Sequence, residues 1–302
     1  MAQYSFGEVA VSAAKRLISP EEADILVGTE VTAIKPNVNK SEIIFDAETG
    51  EPIVAHLKLP TKTTELLRWA VTTIDVPFGG VARKGTGLTT QSRTFGMAPR
   101  KPIQLRDACK PTSLASESPM QNAALAQVSM EMGEMLNEFA PHIYAENYET
   151  MQQVDKDWKL TEKSIWTSGV VNWTAQLPYH RDGFNFDTWA AMPVVREGVD
   201  GGHLHIPEYG ITLACRDGYA AFFCGLRLVH GVTPMTVTKE NGYRCSIVYY
   251  ALRGMKDCFT HAVEQRRAGR KRTAREKGMR EDIIAATSAA ELIEKSRLDE
   301  KS

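Results

Sequence analysis

Residues 177–186 read LPYHRDGFNF, a strand-like run that closes on a glycine turn. His180 and Asp182 stand two positions apart, and on extended backbone residues of equal parity point to one side. One imidazole and one carboxylate therefore converge. Around this point, from about Ser164 to Leu252, short runs rich in Val, Ile, Thr, Phe, Tyr and Trp are separated by Gly, Asp and Pro. That spacing predicts a compact antiparallel β barrel or sandwich.

Upstream, IIFDAETGEPIVAHL sets apolar runs on either side of a Glu-Thr-Gly turn signal and predicts a β-hairpin over Ile43–Leu57. A short helix is expected over Thr64–Thr73. Residues 77–118 are rich in Gly, Thr, Pro and Ser with little periodicity, which predicts a long irregular loop. Ser118-Pro119 then provides an N-cap and a proline at the first helical position, and Leu125, Val128, Met132, Met135 and Phe139 recur at helical spacing. This organisation divides the chain into an N-terminal hairpin and helix region packing on the core (1–76), a core with the basic loop 83–110 and helix 119–140 (77–256), and a charged helical tail (257–302).

The chain has 302 residues, 43% hydrophobic and 24% charged, with a net charge of -1. This suits a globular protein and excludes a uniformly basic nucleic-acid binder. Charge is nonetheless local: Arg83, Lys84, Arg93, Arg100, Lys101, Arg106 and Lys110 stand against Asp107 in one segment, and a second basic run spans Arg266–Arg280. The first suits the tracking of phosphates and the second a solvated helix or partner-binding arm. No apolar run is long enough to span a bilayer and the N-terminus lacks a secretory pattern, so a cytoplasmic location is expected. The five cysteines are odd in number and widely spaced, which predicts reduced thiols.

His180 and Asp182 need one more imidazole to complete a two-histidine, one-carboxylate facial triad, which leaves positions on Fe(II) for a bidentate oxoacid and O2. His230, in RLVHGVTP, ends an apolar strand before a glycine and fits that role. An oxoacid also needs a cation for its distal carboxylate, and arginine supplies a bidentate one. In GYRCSIVYYAL, Arg244 and Ser246 share parity and form such a clamp. The order H-x-D, H-G, R-x-S on strand-like runs is far more specific than an isolated H-x-D.

Together RTFGMAPR, GVVNWTAQLPYHRDGFN, GGHLHIPEYG, LVHGVTP and GYRCSIVYYA resemble the TET/JBP family of DNA dioxygenases, over roughly residues 77 to 256. The compact length looks more like its phage and bacterial branch, acting in a bacterial or phage-infected host cell. The resemblance implies an α+β fold with a double-stranded β-helix (jelly-roll) core and flanking helices. It also implies Fe(II) on His180, Asp182 and His230, 2-oxoglutarate on Arg244, O2, and a DNA partner whose 5-methylpyrimidine is hydroxylated; Ser246 and Asn172, read from the strands themselves, are further candidates for the oxoglutarate site. The product would be 5-hydroxymethylcytosine or 5-hydroxymethyluracil.

A base brought to the iron has to leave the stack and be held by polar edges and aromatic faces. Equal parity with His180 makes Asn172, Thr174 and Gln176 pocket candidates and leaves Trp173 for the core. Phe184 and Asn185 are candidates to flank the base, Phe186 is a candidate for base or core, and Arg93, Arg100 and Lys101 are candidates to meet phosphates. Three alternatives stand beside this reading: the same iron chemistry on a protein side chain or small metabolite, a catalytically silent binding module, and a cupin-like metal set of His203, His205, Glu208 and His230. In the last, the glutamate comes earlier than the cupin pattern places it.

Overall fold

The structure is a computed structural model that describes residues 2–74, 78–82, 89–100, 108–269 and 277–278. In chain order its strands are β1 (Ala2–Tyr4), β2 (Gly7–Ala14), β3 (Glu42–Asp46), β4 (Pro52–Lys58), β5 (Gly79–Ala82), β6 (Thr89–Ala98), β7 (Lys110–Pro111) and β8 (Ser168–Trp173). There follow β9 (Ala190–Glu197), β10 (Val199–Gly201), β11 (Leu204–Ile206), β12 (Ile211–Leu213), β13 (Tyr219–Phe223), β14 (Gly231–Val232), β15 (Met235–Val237) and β16 (Tyr243–Tyr250). The helices are α1 (Pro20–Asp24), α2 (Thr61–Thr72), α3 (Ser113–Glu117), α4 (Pro119–Phe139) and α5 (Pro141–Thr150).

The architecture is mixed α+β, built on an 11-stranded sheet in the order β1-β2-β3-β4-β13-β9-β16-β8-β6-β5, with β7 on β6. The pairing of β2 with β3 is parallel and the other pairs in the sheet are antiparallel. A three-stranded sheet (β12-β11-β14) and a two-stranded ribbon (β10-β15) complete the β structure. Residues before position 76 thus supply β1–β4 to the same large sheet that holds β8, β9 and β16.

Strand alternation explains how that sheet is covered. Along β16, Cys245, Ile247 and Tyr249 join a core with Val171, Phe222, Leu67 of α2 and Leu125, Val128, Met132 and Phe139 of α4. The intervening Val248 packs on the other side, where Val54, Val194 and Phe223 meet Leu204, Ile206, Ile211 and Leu213 of the small sheet. Burying each such large apolar side chain contributes about 1.5–3 kcal/mol. The helix stripe and the strand period therefore define two layers on opposite faces of one sheet.

The expected hairpin is present as β3–β4, and α2 begins three residues earlier than its sequence signal. Helix α4 starts at Pro119, with Ser118 in the cap position but making no side-chain cap bond. The stretch 77–118 departs from expectation. Its middle forms the β5–β6 hairpin, and β6 pairs with β8 from Gln91↔Trp173 to Gly96↔Ser168. Threonine, serine and glutamine are acceptable on a half-exposed pleated surface, so a polar composition concealed a strand. Within the basic segment, Arg93, Arg100 and Lys110 are described, whereas Arg83, Lys84, Lys101 and Arg106 lie outside the described residues.

The cysteine expectation is also corrected. Cys109 and Cys258 form a disulfide with a Cα–Cα separation of 5.9 Å, and Cys215, Cys224 and Cys245 are free and buried. Residues 149 positions apart become neighbours only through the fold, so spacing along the chain could not reveal them. Beside the disulfide, the buried Glu264 carboxylate accepts from the backbone N–H of Cys109 (3.1 Å) and of Phe259 (2.9 Å) and pairs with Arg100 (3.1 Å). The start of the tail, helical over residues 261–269, is thereby clasped to the segment after β6. Among the described residues, no helix is long and apolar enough to cross a membrane.

Candidate metal and cosubstrate site

Strand β8 ends at Trp173, and Thr174 has φ 43°, a left-handed conformation that breaks the alternation expected to continue to Asp182. His180 and Asp182 therefore sit on irregular backbone. What aligns them is an isolated bridge: His180 N–H donates to His230 O (2.9 Å) and His230 N–H to His180 O (3.0 Å), while Asp182 N–H donates to Gly225 O (2.9 Å). The three side chains are brought together, with one ligand atom from each lying within 4.8 Å of the others.

Both rings are held in the same tautomer. His180 Nδ1 lies 2.8 Å from Pro178 O and His230 Nδ1 lies 3.0 Å from Leu228 O, and a carbonyl can only accept. Each Nδ1 thus carries the proton, leaving the Nε2 lone pair toward Asp182, whose Oδ1 is 3.8 Å from His180 Nε2. Burial, and next the neighbouring His180 ring, push the His230 pKa down to about 4, so His230 is neutral at ordinary pH, as a ligand has to be. The His180 and Asp182 side chains are 32% and 25% exposed, so the cluster opens to solvent. A Cβ at Gly225 would overlap the Asp182 carboxylate and come within 3.2 Å of His230 Cε1; only glycine lets that backbone approach.

Arg244 is fully buried, and among the described residues Nε and both terminal nitrogens of its guanidinium have no hydrogen-bond partner. An arginine cannot shed its charge, and burying it unpaired costs several kcal/mol, so the geometry fits a site made for an anion. Ser246 lies two residues on along the same face and pairs in register with Asn172, whose Oδ1 accepts from Ser92 Oγ at 2.7 Å. Arg196, the register partner of Arg244, is by contrast satisfied by the carbonyls of Gly201 and Cys215, each at 2.9 Å, and of Val199. Burial, then Arg244, lower its pKa. Burial, followed by Arg196 and Arg244, pushes His203 down to about 4, and its buried Nδ1 has no partner among the described residues. Gly202 makes the close packing possible, since a Cβ there would lie 2.7 Å from Arg244 Cδ.

The cluster and Arg244 lie on the same side of the large sheet. The His230 ring meets Phe223 edge-on at 4.9 Å, and Phe223 belongs to the core between the large and small sheets, the side to which Arg244 and Ser246 point. A metal on the triad and a carboxylate on Arg244 would both lie on this inner face.

Other expected site residues are placed less centrally. Thr174 serves the backbone of Arg244: its N–H donates to Arg244 O (2.7 Å) and its Oγ1 accepts from Arg244 N (3.3 Å). Gln176 is half-buried beyond the end of β8, so shared parity with His180 does not place it. Trp173 is half-buried and stacks on Tyr243 at 5.1 Å. Asn185 is buried and bridged through its backbone to Leu252, and Phe186 lies in the helix-side core. Phe184 is 73% exposed on the turn after Asp182. That turn is tied down by Arg253, which donates from its backbone to Phe184 O (3.0 Å) and from its guanidinium to Gly183 O (2.7 Å).

Arg93 pairs in register with Val171, placing it on the helix side of the sheet, opposite Arg244; there it donates to Ser113 Oγ (3.2 Å) and lies 3.9 Å from Glu117. Arg100 joins the Glu264 clasp, and Lys101 lies outside the described residues. The cupin-like set is not assembled: His205 Nδ1 bonds Tyr179 OH (2.6 Å) and Glu208 bonds Arg181 (3.3 Å). Gly202, Gly225 and Arg196 were not legible as site residues, and Glu208 was legible only as a member of the cupin-like set. Only the glycine-rich contexts GGH and CGL hinted at close approaches.

The sequence matches no protein-family model and no curated protein. The fold is similar to that of NgTET1 solved in complex with 5mC DNA, with a TM-score of 0.54 and 15% identity over 79% of this chain and 93% of that one. A 2OG-Fe(II) oxygenase family oxidoreductase from Burkholderia pseudomallei aligns with a TM-score of 0.41 and 17% identity over 66% of this chain and 88% of that one. At this level of identity, the NgTET1 likeness is one of fold.

Proposed function

We propose that the chain is an Fe(II)- and 2-oxoglutarate-dependent dioxygenase that hydroxylates the 5-methyl group of a pyrimidine in DNA, on a core of double-stranded β-helix type. The oxygenase reading is carried by the His-Asp-His cluster together with the buried Arg244 guanidinium, which has no hydrogen-bond partner among the described residues, on the same side of the sheet. When bound, iron with oxoglutarate and O2 supplies the oxidising chemistry: oxoglutarate loses CO2 to become succinate, and one oxygen atom ends in the new hydroxyl.

The chain's own residues supply the geometry. His180 and His230 offer Nε2 lone pairs, with Nδ1 protons parked on carbonyls, and Asp182 offers its carboxylate. Arg244, with Ser246 and Asn172 on the same face, orients the oxoacid by its distal carboxylate. Phe223, edge-on to the His230 ring at 4.9 Å, and Val194 are buried on that same side of the sheet.

The DNA part rests on the family resemblance, on the fold likeness to a protein solved with 5mC DNA, and on the rim of the site. There the exposed Phe184 ring stands two residues from Asp182, braced by Arg253, a pairing suited to stacking a base beside a phosphate. Thr174 and Gln176, from the segment between β8 and His180, and Arg100 remain candidates for substrate contact. A DNA substrate places the protein inside cells, where the Cys109–Cys258 bond would meet a reducing environment.

The test is incubation with Fe(II), oxoglutarate and methylated DNA, followed by digestion to nucleosides and mass spectrometry. A hydroxylated mass on methylcytidine or thymidine is the expected result. Succinate formation with a protein or metabolite extract, but with DNA unchanged, would favour the alternative hydroxylase. No oxoglutarate turnover with any substrate would sink the enzyme reading.

A further inference from the structure

The peptide that carries the first two metal-ligand candidates has a second set of contacts on its other side. In Tyr179-His180-Arg181-Asp182, the even positions meet at the cluster, and the odd positions turn toward the region of the small sheet. Tyr179 OH bonds His205 Nδ1 of β11 at 2.6 Å. Arg181 reaches Glu208, just after β11, at 3.3 Å, Asp24 at 2.6 Å, and the carbonyls of Pro20 (3.3 Å) and Arg227.

Glu208 holds a special position among these. It is fully buried, and its Oε1 accepts both from Arg181, between His180 and Asp182, and from the backbone N–H of Val229 (2.9 Å), immediately before His230. One carboxylate oxygen thus touches both segments that bear the cluster. Its Oε2 has no partner among the described residues. Taking a carboxylate wholly out of water costs several kcal/mol, and an apolar side chain of similar volume would often be at least as stable. Stability alone therefore gives little reason for a charge here.

We propose that Glu208 is a positioning residue for the metal centre: through Arg181 and Val229 N–H it sets the spacing of the His180–Asp182 peptide against His230, and so sets metal affinity. The proposal rests on the metal reading of the triad. Partners that orient metal ligands from behind contribute about 10- to 100-fold in affinity when removed. Glu208→Gln keeps the size and an acceptor oxygen but replaces the charge-assisted bond to Arg181 with a neutral one, and Glu208→Ala removes both bonds.

The experiment titrates Co(II), as a spectroscopic stand-in for Fe(II), into the full-length apo protein, following visible absorption, and records the apo melting temperature of each variant. Tyr209→Phe serves as a neighbouring control: it removes the hydroxyl that bonds Asp46 (2.6 Å) and Arg16 (2.7 Å) without touching either ligand segment. The expected result is Co(II) affinity weakened about 10-fold in Glu208→Gln and about 100-fold in Glu208→Ala. Tyr209→Phe should bind as the parent protein does even where its melting temperature falls. Unchanged affinity in Glu208→Gln and Glu208→Ala would overturn the positioning role and leave the triad intact. Affinity that tracks melting temperature across all three variants would also overturn it, reducing Glu208 to general stability. Co(II) binding that survives in His180→Ala would instead remove the metal reading beneath the proposal.

Discussion

The two faces of the large sheet are made by the same strands and do different work. Along β16, Cys245, Ile247 and Tyr249 turn to the helices and join an apolar layer with Val171, Phe222 and Met132. One residue out of phase, Arg244 and Ser246 turn to the small sheet, where a guanidinium with no hydrogen-bond partner among the described residues is held out of water. The contrast teaches that a period-2 strand can place an apolar row on one face and a buried charge, set beside a second apolar core, on the other within eight residues.

That division can be broken most forcefully at Arg244. Arg244→Leu should lose oxoglutarate affinity by roughly 30-fold to several thousand-fold, from about 2–5 kcal/mol for an anchoring buried charge pair, as measured by calorimetric titration. The same variant should melt no lower than the parent in the apo form, because it removes an unpaired buried charge. A clear drop in apo melting temperature would mean that Arg244 is part of the fold's support after all.

The mirror experiment is Ile247→Ala, three residues on and on the helical face. Truncating this fully buried side chain should destabilise the protein by about 2–5 kcal/mol in denaturant unfolding. Its oxoglutarate affinity should stay within about twofold of the parent's under native conditions, since it is a packing change on the opposite face. A large affinity loss would show that the faces are coupled.

Acid offers a graded version. Burial pushes His56 down to about 4, and its register partner Ala221 belongs to the small-sheet side, as do His203 and His230, likewise at about 4. These folded-state values lie below 6.5, so between about pH 4 and 6.5 the unfolded chain binds more protons and stability rises with pH. Melting temperature should therefore hold above pH 6.5 and fall as the pH drops toward 4. A His56→Phe variant should flatten part of that fall; an unchanged slope would locate the acid sensitivity elsewhere.

The smallest effect on stability belongs to Phe184, which lies outside both layers at 73% exposure. Phe184→Ala should change unfolding free energy by less than about 0.5 kcal/mol. DNA affinity measured by fluorescence anisotropy should nevertheless weaken by roughly 5- to 150-fold, the range expected for one stacked base at about 1–3 kcal/mol. Unaltered binding would remove Phe184 from the substrate surface.

Much of this contrast was legible early. The alternation in GYRCSIVYYAL separated Arg244 and Ser246 from the core residues, and the helical stripe of α4 announced the layer that covers them. The H-x-D and H-G signals named the cluster now seen within 4.8 Å, although the strand assumed to align them ends at Trp173. Polar β6 was hidden by its composition. Glu208 was visible only as part of the cupin-like set, and its contacts with Arg181 and Val229 were hidden because both lie more than 20 positions away.

The sequence by itself determined which side chains each strand and helix could offer to a given face, because side-chain direction follows from local backbone period. It equally determined the donor types at the cluster and the charge at position 244. Only the tertiary structure decided that His180 bridges His230, that Gly225 lets Asp182 approach, that Cys109 meets Cys258 and that Arg244 is buried with no hydrogen-bond partner among the described residues. These depend on chain segments remote in sequence closing on one another, and no local period encodes that closure.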